Sequence, residues 1–248
     1  MRKLYPISVW LAIESVFCGL TWAVFTPNRL GEYGGRVMFL PNRTRVPGVF
    51  AMTVGALGQI VTTNVLGAFA MAWFFFVYVK PGVLLMWGIT ITALIFVLLS
   101  IILYFNINWI IKVLSRIKYL KKFYRFFEIM ARYDSKELLI IIGFCLARFL
   151  VFTFQYYLII HLVVPQIPIL QLSLLMFFFF FVQSLIPSLD LLDIGVRAFT
   201  ATTLFHYLTD QSVSIVVSVT LIFIINLIFP AILGSVFVLK LKFFDRAY

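Results

Sequence analysis

The sequence predicts an all-α polytopic membrane protein, with about five spanning helices and two re-entrant or broken hairpins forming a possible inverted repeat. Three observations carry this expectation. Hydrophobic residues make up 63% of the 248-residue chain and charged residues only 12%, about half the charge of a soluble domain. Apolar runs of about 20 residues recur from end to end, each long enough to cross about 30 Å of hydrocarbon. The runs are continuous rather than alternating, which excludes a transmembrane β-barrel.

The apolar segments fall, in order, at about residues 4–25, 47–78, 82–105, 138–164 and 167–186, then a shorter mixed segment at 188–207 and a last one at 213–239. The second is long enough to tilt or to extend past the membrane. Pro47, Pro81, Pro165, Pro168 and Pro187 punctuate the boundaries, as residues that cannot continue a helix do. The first run is long and has no small-residue cleavage site, so it is expected to be retained rather than removed as a signal peptide. The chain reads as a single integral-membrane domain over 1–248. Its first half is 1–105 with a hinge at 26–36, its linker 106–137, and its second half 138–248 with a hinge at 184–199.

The formal charge of +11 lies between apolar segments, where the positive-inside rule places Lys and Arg. Anionic lipid head groups are therefore the expected counter-charge, and nucleic acid is not an expected partner. The linker contains KVLSRIKYLKKFYRFFEIMARYDSKE, a basic amphipathic helix suited to the cytoplasmic surface. It reads either as a topology anchor or as a sensor of lipid head groups. Placing it and the basic C-terminus KLKFFDRAY inside fixes the rest by parity. The third segment then runs outward-to-inward and the second inward-to-outward. Both ends of residues 1–45 become cytoplasmic, so the first segment dips in and returns with its turn near 26–31.

Each half thus holds one interrupted hydrophobic stretch. The first hinge is TPNRLGEYGGR, with Pro27, Gly31, Gly34, Gly35 and Arg36. The second is SLIPSLDLLDIGVRAF, with Pro187, Gly195 and Arg197. Proline followed by glycine lets a half-helix start inside the membrane. Half-helix N-termini favour anions, and arginine adds a planar fork for phosphate. The competing reading makes the hinges interfacial loops, with their arginines paired to Glu32, Asp190 and Asp193. Two hinges at matching positions favour the first reading, since interrupted segments in corresponding halves mark transporter sites.

Arg148 sits about ten residues into LLIIIGFCLARFLVFTFQYYLII. A charge at that depth is expensive and is expected to face the protein interior or a cavity. Gln155, seven residues on, shares its helical face. Glu14, within WLAIESVFCGL, offers an alternative ion-pair partner for Arg148. Gln59 and Asn64 add polarity to the second segment, where Gly55, Gly58, Thr62, Thr63 and Gly67 suit close helix packing. Asn226 and Pro230 are expected to kink the last helix. Phe177–Phe181 read as lipid-facing or packing bulk. Cys18 and Cys145 read as small core residues, and His161 and His206 are isolated, so no metal, disulfide or catalytic triad is expected.

Taken together, TPNRLGEYGGR, LARFLVFTFQYYLII, IPSLDLLDIGVRAF and INLIFPAILG resemble, in order, the lysylphosphatidylglycerol synthase transmembrane family. This is a flippase-like membrane domain, and the chain is similar to its stand-alone branch. The resemblance covers nearly the whole chain and implies a lipid translocator, or a module acting on lipid-linked anionic head groups. It also implies two helices upstream of the segment at 4–25, which this chain is expected to lack, and synthesis of lysylphosphatidylglycerol by a soluble aminoacyl-transfer domain is not expected of it.

The expected function is therefore translocation of an anionic phospholipid or lipid-linked sugar between leaflets. Arg36, Arg148 and Arg197, with Gln155, line the path, while Glu32, Asp190 and Asp193 balance charge. No cofactor and no catalytic residue is expected. Membrane lipids are the expected partners, alongside a second copy or a partner membrane subunit. The expected location is a prokaryotic cytoplasmic membrane, with 106–137 and the C-terminus inside. Two alternatives stand beside it: an integral-membrane lipid-modifying enzyme using Asp190 or Asp193 as base, and a non-catalytic or truncated family member.

Overall fold

The computed structural model describes residues 7–26, 29–109, 111, 130–131, 133–186 and 193–240. Most of the basic linker lies outside the described residues, as do Pro27, Pro187 and Asp190. Among the described residues all regular structure is helical. In chain order the helices are α1 (Val9–Val24), α2 (Leu30–Val37), α3 (Asn42–Phe74), α4 (Val83–Phe105), α5 (Ser135–Val163), α6 (Ile169–Leu185), α7 (Asp193–Phe205), α8 (Ser212–Phe223) and α9 (Phe229–Lys240). Wider π-turns at Phe75–Val79 and Ile224–Ile228 extend α3 and join α8 to α9.

Four of these helical stretches are long and apolar enough to span a membrane: Asn42–Val79, Val83–Phe105, Ser135–Val163 and Ser212–Leu239, of 38, 23, 29 and 28 residues. The apolar α1 and α6 are shorter, 16 and 17 residues, or about 24–26 Å. Helix α4 exposes Leu84, Trp87, Ile91, Leu94, Ile95 and Leu98. A contiguous apolar face of that kind is tolerated in hydrocarbon and not in water. The protein is an all-α, multi-pass integral membrane protein.

Local chemistry explains the boundaries. Asp134 caps α5 and forms a capping box with Glu137, whose carboxylate accepts the Asp134 N–H at 3.1 Å. This satisfies backbone donors that a helix start leaves open. Helix α3 ends through a π-turn, with the Lys80 N–H on the Phe75 carbonyl at 2.8 Å and Lys80 at φ 47°. Pro81 follows, and proline disfavours a continued right-handed helix before it. The last helix does not simply kink at Pro230. Proline cannot donate to the Asn226 carbonyl and its ring crowds that turn. The helix instead widens over Ile224–Ile228, where the Phe229 N–H reaches back to Ile224.

The described residues group into two compact units. The first draws on residues within 1–52, 187–196 and 220–248, and the second on residues within 53–186 and 197–219.

In the first unit α1 packs against both α2 and α9. The chain folds back where the sequence placed a turn. Gly31 lies by Trp22 and Thr26, and Gly35 by Cys18 and Gly19, so α1 and α2 run antiparallel. Helix α9 is also antiparallel to α1. Thr21 Oγ1 donates to the Ala231 carbonyl at 2.9 Å, Gly234 lies against Phe17, and the Phe17 and Phe237 rings meet at 6.1 Å. Arg45 donates to the carbonyls of Leu40 (3.1 Å) and Met38 (3.3 Å), just past the end of α2. A cation there complements the negative end of the helix.

In the second unit α6 is the central helix. None of Phe177–Phe181 is exposed, so the run is packing bulk and not a lipid-facing patch. Phe178 meets Phe74 of α3 at 5.1 Å, Phe181 meets Phe96 of α4 at 6.1 Å, and Phe149 of α5 meets Phe177 and Phe180 at 5.1 and 5.4 Å. The small residues of α3 admit these contacts. Gly67 lies under Phe181, and Gly58 faces Cys145, Ile141 and Tyr104. Asn64 donates to Ser100 of α4 at 3.4 Å, whereas Gln59 is exposed.

Tyr207 contacts Phe74 and Tyr78 at 4.9 and 5.7 Å. This puts the end of α3 and the α7–α8 connection at one end of the second unit. A cysteine at Lys80 and a cysteine at Asp210, each in a background lacking Cys18 and Cys145, are therefore expected to react with a membrane-impermeant thiol reagent from the same side. Labelling from opposite sides would contradict this arrangement.

Candidate functional site

The α1–α2 hairpin is the best-formed polar feature in the first unit. Thr26 stitches its turn, donating to the Trp22 carbonyl at 3.0 Å and accepting the Gly31 N–H at 2.7 Å. Arg29, in the left-handed region at φ 57°, sets the direction of α2. The helix is strongly two-faced. Gly31 and Gly35, four residues apart, lie on the face towards α1, where a Cβ on Gly35 would come within 2.8 Å of Gly19 Cα. Small residues at this spacing let two backbones approach closely.

This explains the glycines differently from the sequence reading. Gly31 and Gly35 are packing positions inside a helix, not a flexible turn, and the turn itself is confined to the residues between α1 and α2. Gly34 and Gly195 are exposed helical positions with open space around them. A glycine-rich string does not reveal which of its members face a neighbouring helix.

Close approach creates a seat for Arg36. A Cβ on Gly19 would lie 2.8 Å from Arg36 Cγ and 2.9 Å from the Glu32 carbonyl oxygen. Only glycine there lets the arginine stem cross α1. Arg36 Nη2 donates to Glu32 Oε1, one turn earlier in α2. The two side chains are 30% and 19% exposed. Arg36 Nε is buried and has no hydrogen-bond acceptor. A half-buried guanidinium is thus held by one carboxylate through one nitrogen, while a second N–H of its fork is unsatisfied. Burying such a donor is costly unless an acceptor arrives.

The two hinges also converge. Val24, at the end of α1, packs with Phe223 and Leu227 of the last helix, and Ile194 of α7 packs against the same cluster, as do Ile228 and Ala231. Ile194 lies between Asp193 and Gly195. The start of the helix after the second hinge therefore meets the end of the helix before the first, beside the π-turn that carries Asn226. Asp193 is buried at 5% exposed, in the first turn of α7, where an acidic side chain complements the helix N-terminus.

No protein-family model, curated protein or solved structure matches this chain. The chain's own residues therefore carry the functional argument.

Arg148, Gln155 and Arg197 belong to the second unit. Arg148 departs from expectation: it is exposed, with its guanidinium carbon 5.2 Å from the Phe152 ring centroid. The cause is helical phase. Cys145, Phe149, Thr153, Tyr156 and Ile160 form the buried face of α5. Arg148 precedes Phe149 by one residue, a rotation of about 100°, which moves it to the flank. Gln155 is half-buried on that same flank, and Arg197 is half-buried on α7. Glu14 is half-buried on α1.

Among the described residues no three His, Cys, Asp or Glu side chains gather as a metal site. Sequence reasoning missed Gly19 and Thr26. A small-residue pair, Cys18-Gly19, in an otherwise bulky run was the available signal for the first.

Proposed function

We propose that this chain translocates an anionic phospholipid or lipid-linked sugar between the leaflets of a membrane. In this reading the phosphate is taken by arginines of the interrupted segments, Arg36 first among them, and the acyl chains stay in the bilayer. The observation that carries it is Arg36, a half-buried guanidinium in an interrupted apolar hairpin with an unsatisfied Nε–H.

Glu32 gives the site a way to load. A guanidinium in a low-dielectric setting needs a counter-charge at all times. Glu32 holds Arg36 when no head group is present, and an arriving phosphate displaces it, so the cation exchanges one anion for another. The convergence of both hinges beside a π-turn supports a moving site, since π-turns concentrate at functional positions. Alternating exposure would come from rocking of the broken hairpins. The motif resemblance to the flippase-like family points the same way. We place the basic linker and the C-terminus on the cytoplasmic side, following the distribution of Lys and Arg.

The exposed Arg148 midway along α5 favours a second reading as well. A charge on an otherwise apolar outer face is a contact point for another membrane helix, in a second copy or a partner subunit.

Leaflet exchange in proteoliposomes tests the proposal. A labelled anionic phospholipid should redistribute faster with the purified protein than in protein-free vesicles. Rates no faster than in protein-free vesicles, for each of several anionic head groups, would contradict it.

A further inference from the structure

Helix α5 has an outer face with a heptad repeat. Ile140, Phe144, Ala147, Val151, Phe154 and Leu158 are all exposed. They alternate at spacings of four and three residues, the pattern of a helix that packs lengthwise on a partner at a shallow crossing angle. Lipid covers such a seam as well as a helix does, so the apolar residues alone identify no partner. Two polar residues change this. Arg148 follows Ala147 and Gln155 follows Phe154, so both flank the seam on the same side, one heptad apart. Arg148 is exposed and Gln155 is half-buried.

Depth decides what covers Arg148. It lies ten residues from Leu138, where the apolar run of α5 begins, or about 15 Å along the helix. That is about half the thickness of the hydrocarbon. Snorkelling serves arginines near helix ends, and Arg148 is not one of them. A guanidinium that faces outward at this depth is costly against acyl chains and favourable against a carboxylate. The Phe152 ring, 5.2 Å from its guanidinium carbon, covers one side of the group and brings no formal charge.

We propose that this face of α5 docks a transmembrane helix of a different protein, one that carries an aspartate or glutamate at the depth of Arg148. The inference rests on the second reading above and commits it to one kind of partner. Charge complementarity selects the occupant. A symmetric pairing of two copies along the seam brings each Arg148 against its twin, and like charges repel strongly in a low dielectric. The spanning helices of a second copy offer no counter-charge elsewhere. Glu137 is the single carboxylate in the four spanning stretches, and it belongs to the cap of α5. In the shorter helices, Glu32 is held by Arg36 and Asp193 is buried. Glu14, half-buried on α1, is the acid that a second copy still has to offer. The small side chain of Ala147, beside Arg148, lets a partner backbone come close. Gln155 adds amide donors and an acceptor one heptad further along.

The test uses full-length, donor-labelled protein in phosphatidylcholine vesicles, which carry no net charge. The probes are acceptor-labelled transmembrane peptides of leucine and alanine with Asp, Leu or Lys at the central position. Energy transfer should show wild type binding the Asp peptide about tenfold more tightly than the Leu peptide, the low end for a close charge pair in an interface. The Lys peptide should bind most weakly. Arg148→Leu should bring the Asp and Leu peptides to equal affinity, and Arg148→Lys should keep part of the preference. Equal binding of the three peptides by wild type overturns the proposal, and that result needs no variant to fold. An Asp preference that survives Arg148→Leu also overturns it, because the carboxylate is then read elsewhere. So does energy transfer between two labelled copies without peptide that Arg148→Leu and Glu14→Gln each abolish, which assigns the face to a second copy. Lipid exchange plays no part in this readout, so its failure leaves the translocator reading standing.

Discussion

Gly234→Leu is expected to destabilise the first unit by about 3 kcal/mol and to lower its thermal midpoint sharply in detergent. Even a single Cβ at Gly234 would press on the Phe17 carbonyl oxygen and on Thr21 Oγ1. The first is backbone and cannot rotate away. The second is already committed to the Ala231 carbonyl. A leucine side chain therefore drives α9 off α1 and breaks that interhelical hydrogen bond. Gly34→Ala is the matched control. No atom lies within 4 Å of its added methyl, and replacing a helical glycine with alanine gains about 0.5–1 kcal/mol. Circular dichroism melts of both variants check the contrast. Equal midpoints would mean that the α1–α9 contact is not close in the membrane.

Arg36→Ala should slow lipid exchange by about two orders of magnitude, the usual scale for truncating one member of a buried, hydrogen-bonded charge pair. It should also lower stability, because Glu32 loses its counter-charge. The two effects separate in the double variant Glu32→Ala/Arg36→Ala. Removing both charges restores stability but leaves exchange slow, since no guanidinium remains to take the phosphate. Arg36→Lys keeps the charge and loses the planar fork, so it should lie between. Recovery of exchange in the double variant would make the pair purely structural.

The architecture was legible where physics acts along the chain. Length and hydropathy mark α3, α4, α5 and the last helix, and prolines mark several of their ends. The cluster of Pro27, Arg29 and Glu32 after an apolar run marks the fold-back of α1 on α2. Properties that depend on a neighbour were not legible. Gly31 and Gly34 look alike in sequence, yet one lies against Trp22 and the other faces open space. Arg148 was expected to face inward, but a rotation of one residue relative to Phe149 puts it on the flank. The π-turn before Pro230 was read as a kink, since a proline shows that the helix must adjust but not how. For the second hinge, Pro187 and Asp190 lie outside the described residues, while Asp193, Gly195 and Arg197 are seen in α7.

The most direct test of a two-hinge lipid path compares wild type with Arg197→Ala in one leaflet-exchange experiment. Circular dichroism would confirm that both are equally helical. A labelled anionic phospholipid and a quencher added outside the vesicles report the rate. Fast exchange in wild type and a near-background rate in Arg197→Ala is the predicted result. Equal, fast exchange in both proteins would contradict a path that runs past the second hinge.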